Sequence, residues 1–97
     1  MLELVVTDRA KQDIESIADF LAQQYSNRTK IDFLLRLSHH FELIEKMPLM
    51  YPTSVTNPSV RRCVVHKNVA LFYQVTNELI FILAVIDTRT NPDELEF

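Results

Sequence analysis

The stretch "VRRCVVHKNVALFYQVTNELIFILAVI", residues 60–86, decides the fold. It holds three apolar runs of strand length, 60–66, 69–75 and 79–86, separated by Lys67-Asn68 and by Thr76-Asn77-Glu78. Runs rich in β-branched and aromatic residues and joined by two or three turn-forming residues predict an antiparallel meander. Both connections are expected to use the tolerance of asparagine for positive φ. In the second and third runs both alternating sets are apolar: Leu71, Tyr73 and Val75 against Ala70 and Phe72, then Phe81, Leu83 and Val85 against Ile80, Ile82 and Ile86. A sheet with one face in water alternates apolar with polar. Two explanations stand: these are central strands beside a strongly twisted layer, or the second face is an exposed apolar patch that another chain covers.

Working back towards the N-terminus, "PLMYPTSVTNPS" (48–59) contains three of the four prolines and no charged residue. It predicts an irregular loop. Before it, Phe33, Leu34, Leu37, Phe41, Ile44 and Met47 recur at helical spacing until Pro48 ends the pattern, giving a helix over 27–47. Ile31 and Leu35 lie on the other side of that helix, a second hint of a covered surface. A first helix, 8–25, has Ala10, Ile14, Ile17, Ala18, Leu21 and Tyr25 inward and Asp13, Glu15, Asp19 and Gln23 outward. Thr7 or Asp8 is its expected cap, and Ser26-Asn27 is the break between helices. So short a break forces an antiparallel hairpin. "LELVV" (2–6) is strand-like. The expected architecture is α+β in the order βααβββ, a helical hairpin packed on a mainly antiparallel twisted sheet, with residues 1–97 forming one domain.

Composition limits the chemistry. The 97 residues are 47% apolar and 24% charged, with a formal net charge of −3, which disfavours a chain that wraps nucleic acid through clustered cations. The chain has no glycine, so glycine-rich phosphate loops and dinucleotide fingerprints are excluded. Cys63 is the one cysteine; no intramolecular disulfide or cysteine-rich zinc site can form, and a thiol in an apolar strand is expected to be buried and inert. His39 and His40 point about 100° apart on a helix and make a poor metal clamp, so no metal or cofactor is expected. No apolar run reaches the ~20 residues of a membrane span, and the N-terminus lacks signal-peptide character, so the expected location is cytoplasmic, with no membrane partner.

The order "TDRAKQDIESIADFL" (7–21), a second helix ending in "EKMP" (45–48), Arg61-x-Cys63, Phe72-Tyr73 and a final "DTRTNP" (87–92) resembles the RelE/ParE superfamily of toxins from bacterial type II toxin–antitoxin modules. The similarity runs over about residues 3–92 and is nearest to ParE-like plasmid stabilisation proteins. It implies the βααβββ fold and a cognate antitoxin that lays an extended segment and a helix over the toxin, with Ile31, Leu35 and Phe72 as expected contacts. The product would be a homodimer or a toxin–antitoxin hetero-oligomer.

Two activities follow from the resemblance. RelE-like members are ribonucleases that cut messenger RNA on the ribosome, a reaction that needs a base, an acid and cations on the developing phosphorane. They draw these groups from the loop and strand after the second helix and from histidine or tyrosine near the C-terminus. Here loop 48–59 has no ionisable group except Tyr51, and no His or Tyr follows Tyr73. Arg61, Arg62 and His66 are the catalytic candidates on that reading, with His66 as base if it faces Arg62 from the same strand face. ParE-like members poison DNA gyrase without cutting nucleic acid. That reading fits the residues better and makes Arg61, Arg62 and Arg89 a local cationic patch for target binding, although Arg89 has a structural alternative in pairing with Asp87 or Asp93. A degenerate member that binds antitoxin without toxicity is the third reading.

Overall fold

The computed structural model describes residues 2–89; Asp93 and the end of the "DTRTNP" motif lie outside the described residues. The elements are β1 (Glu3–Val6), α1 (Asp8–Gln24), α2 (Asn27–Lys46), β2 (Arg61–His66), β3 (Val69–Val75) and β4 (Leu79–Asp87). They form one sheet of order β1-β4-β3-β2. The meander is antiparallel, and β1 lies parallel to β4, from Glu3 opposite Leu79 to Val6 opposite Ile82. Parallel pairing needs a long crossover, and here the helical hairpin and the meander supply it.

The ends of the helices follow local chemistry. Thr7 caps α1 by accepting the Ala10 N–H, and Ser26 caps α2 by accepting that of Thr29. Pro48 lies just beyond the α2 C-cap, Met47. Thr7 also closes the sheet where β1 stops, since its N–H and its hydroxyl both donate to the Ile82 carbonyl, at 3.1 and 2.8 Å. Asp13, expected outward, is instead half-buried, because its Oδ2 accepts the Val85 N–H at 3.1 Å while Arg9 pairs with it from the preceding turn. Beyond the end of β1 that strand N–H has no ladder partner on the α1 side, and a carboxylate from α1 satisfies it.

The main core lies between hairpin and sheet: Ala10, Phe33, Leu37 and Ile44 against Cys63, Val65, Leu71, Tyr73, Ile80, Ile82 and Val85. Full burial of each large aliphatic or aromatic side chain contributes about 1.5–3 kcal/mol. Tyr25, Leu34 and Met47, expected inward, are exposed. On the other face of the sheet, Val60, Ala70, Phe72, Ala84 and Ile86 make a second buried cluster with Leu83 packed against it. Of the two explanations for that face, the chain itself buries most of the apolar set, with Leu83 half-buried and Val64, opposite Ala70, 53% exposed.

The turns also differ from expectation. No described residue has positive φ, so neither asparagine turn uses the left-handed region. A two-residue connection without φ > 0 mismatches the strand twist. Beside Lys67-Asn68 the register slips between Val64 and His66, a bulge that takes up the mismatch.

Candidate functional site

Pairing in β2 separates the two arginines that the sequence places side by side. Arg61 is opposite Tyr73 on the helix-facing side, and Arg62 is opposite Phe72 on the other. Cross-strand partners share a face, so one residue of offset reverses the side chain. Arg61 is half-buried, and its Nη1 donates to the carbonyls of Tyr51 at 2.7 Å and Leu49 at 3.3 Å. Arg62 is exposed, while its backbone N–H bonds to Pro52 O at 2.9 Å.

These contacts belong to a polar network that pins loop 48–59 to the body. The Tyr73 hydroxyl donates to Pro48 O at 2.7 Å, and the Ser54 N–H donates to Val60 O at 2.7 Å. Thr53 forms an isolated antiparallel bridge with Arg61, so the loop is not wholly irregular. Nδ1 of His40 lies 3.0 Å from the Tyr51 hydroxyl and 3.3 Å from Cys63 Sγ. A neutral ring with its proton on Nε2 accepts from Tyr51 in this arrangement.

The electrostatics keep the network neutral apart from Arg61. Burial, with His39 and Arg36 nearby, pushes His40 below the usual imidazole value. Burial, with Cys63 alongside, pushes the Tyr51 phenol up to about 12. Burial likewise takes Tyr73 to about 12, against the pull of Arg61. The Cys63 thiol is also raised by burial, despite a hydrogen bond with Tyr51. The group is suited to holding a loop and poorly suited to proton transfer near neutral pH.

The remaining candidates lie apart. The bulge turns His66 to the helix-facing side opposite Val69, so it does not face Arg62 as the catalytic reading required. It lines a groove of about 510 Å³ with Phe20, Tyr25, Phe33, Arg36 and Arg89. Arg89 pairs with Asp87 at 3.3 Å, and that carboxylate raises its pKa. The structure thus brings His66 and Arg89 to one groove and leaves Arg61 and Arg62 on opposite faces. Ile31 and Leu35 are 52% and 64% exposed on α2, whereas Phe72 is 1% exposed. The sequence reading missed the His40–Tyr51 pair, although His40 stands three residues after Leu37 and four before Ile44, on the inward face of α2. Among the described residues no cluster of His, Cys, Asp or Glu could hold a metal ion, and no helix is long and apolar enough to cross a membrane.

Two helices on one face of a four-stranded, mostly antiparallel sheet define the α+β class of ParE- and RelE-like toxins. The chain belongs to the family of the ParE toxin of type II toxin-antitoxin system, parDE, whose model matches residues 4–92. Among solved structures it is similar to the chromosomal ParDE TA system from P. aeruginosa, with TM-score 0.79 and 16% identity over 90% of this chain and 96% of that one. It is also similar to YafQ from E. coli strain BL21(DE3), with TM-score 0.63 and 16% identity over 92% and 96%. A third likeness is to the E. coli DinJ-YafQ toxin-antitoxin complex, with TM-score 0.63 and 13% identity over 91% and 93%. No curated protein matches the sequence.

Proposed function

We propose that this ParE-family toxin arrests growth by binding a protein, DNA gyrase, in the cytoplasm, without nuclease chemistry, and that a cognate antitoxin neutralises it. The observation that carries the reading is the engagement of Arg61. Its guanidinium is bonded to the carbonyls of the loop that should supply catalytic groups, and that loop offers only Tyr51, whose raised pKa keeps it a phenol. The RelE-like alternative needs Arg61, Arg62 and His66 to converge on one phosphate. Arg61 and Arg62 point to opposite faces, and His66 sits in the groove.

The antitoxin proposal is supported by the family and by the ParDE and DinJ-YafQ assemblies named for the similar structures. Ile31 and Leu35, exposed on α2, are the proposed contacts; Phe72 would contact a partner only if the second cluster opened. Arg62 and Arg89 remain the proposed target-binding cations, with Arg61 acting from beneath the loop. Induced expression in bacteria tests the reading. It predicts growth arrest with DNA-damage signalling and intact messages, and truncated messages without that signalling would refute it.

A further inference from the structure

The second sheet face is more deeply buried than the described residues around it explain. Phe72 and Ile86 are 1% and 2% exposed, and Ala70 and Ala84 are 0%. The helices pack on the opposite face, and among the described residues Val60 is the only member of this cluster outside the strands. Val55, Thr56, Pro58 and Ser59, which lead to Val60, are all exposed. One valine does not close such a surface, since an aromatic side chain alone buries roughly 150–250 Å². The rest of the cover has to come from elsewhere in the chain. Met1 is badly placed for it: β1 begins opposite Leu79, and five residues along β4, roughly 17 Å, separate that point from Ala84, the partner of Phe72.

The chain beyond Arg89 is well placed. The Thr88 N–H and hydroxyl both donate to Asn68 O, at 2.8 and 3.2 Å, and fix the exit from β4 beside the β2–β3 turn. Ala84 is three residues before Asp87, so the centre of the cluster is about 10 Å from that exit. Residues 90–97, "TNPDELEF", span up to about 26 Å when extended. They open with Asn91-Pro92-Asp93, turn-forming residues suited to reversing the chain. Leu95 and Phe97 then alternate with Glu94 and Glu96, a period that gives an extended segment one apolar side and one acidic side. Arg62, exposed and opposite Phe72, is a cation within reach of those carboxylates, whereas Glu3 lies on β1 at the far edge of the sheet.

We infer that residues 90–97 turn back over the second sheet face and close it, with Leu95 and Phe97 seated on Phe72, Leu83 and Ile86. A partner that uses Phe72 must first displace this segment. Nothing in the closure depends on whether the target is gyrase or the ribosome.

The experiment uses the full isotope-labelled chain in solution NMR. Nuclear Overhauser contacts should join the Phe97 ring or the Leu95 methyls to the Phe72 ring and to the Leu83 or Ile86 methyls. In an equal mixture of labelled and unlabelled chains these contacts should arise within one chain. Contacts that arise between chains make the cover a second copy, and a Phe72 ring touched by some other part of the chain makes the cover that part; either result overturns the assignment, as does the lack of any contact from 90–97. In parallel, Leu95→Ser/Phe97→Ser should keep the wild-type circular dichroism, because both residues lie outside the helices and the sheet. Its melting temperature should fall by roughly 10 °C, and its binding of a hydrophobic dye should rise several-fold. Glu94→Ser/Glu96→Ser, which spares the apolar side, should melt within a few degrees of wild type. Unchanged melting and dye binding in the apolar double variant overturn the closure. If that variant fails to fold, the contacts in the wild-type chain decide alone.

Discussion

Replacing Arg61 by alanine separates a loop anchor from a surface contact. The Nη1 bond to Tyr51 O is 2.7 Å long and partly buried, and that to Leu49 O is 3.3 Å and exposed. A hydrogen bond from a charged donor contributes about 1.5–3 kcal/mol when well formed, so the shorter bond dominates and the longer one adds little. Alanine also leaves the Tyr51 carbonyl without that donor. The expected loss is about 2 kcal/mol, equivalent to a Tm decrease of roughly 8–16 °C for a domain of this size. Urea unfolding followed by circular dichroism measures it, with the exposed Arg62→Ala as control, expected to stay within about 0.5 kcal/mol of wild type. If Arg61→Ala is as stable as the control, the guanidinium is not holding the loop, and Arg61 returns to the list of residues free to meet a target.

Thr7→Ala removes an N-cap together with a hydroxyl bonded to Ile82 O, and urea unfolding should show a loss of about 1–2 kcal/mol. Because the folded-state pKa of His40 is depressed, its contribution is complete above the ordinary imidazole value and is lost as pH falls below it; unfolding at stepped pH should show an acid limb that His40→Gln flattens. Tyr51 and Tyr73 have the opposite sign, since their raised pKa values stabilise the fold below pH 10 and that stability is lost between pH 10 and about 12, which an ultraviolet phenolate titration should show as late, cooperative ionisation. Ile31→Ser/Leu35→Ser should weaken antitoxin binding by about 10-fold or more in calorimetry while leaving the melting temperature within a few degrees.

The framework was legible because each element carried its own period. The meander, both helices and the first strand fall within a residue or so of their expected limits, since Pro48, Ser26 and the polar turns mark boundaries chemically. The site was not legible for a different reason. Which face Arg61 or Arg62 occupies depends on cross-strand register, and the turn of His66 away from Arg62 depends on a bulge that no residue in "VVHKN" announces. The His40–Tyr51 pair joins a helix to a loop whose path is set by distant donors, Arg61 and Tyr73. Asp13 looked like an ordinary outer helix residue because the strand N–H it satisfies lies 72 positions away. Burial of the second sheet face was compatible with the sequence from the start, as one of two explanations for strands apolar on both sides.

The central claim, a protein-directed toxin without nuclease chemistry, is tested most directly by one paired assay on the purified wild-type chain. Gyrase with relaxed plasmid, and ribosomes programmed with a defined messenger RNA, receive the same toxin concentrations. The account predicts dose-dependent slowing of supercoiling and a full-length message. Cleavage at codon positions with normal supercoiling would contradict it, and would require Arg61, Arg62 and His66 to converge in a conformation other than the one described.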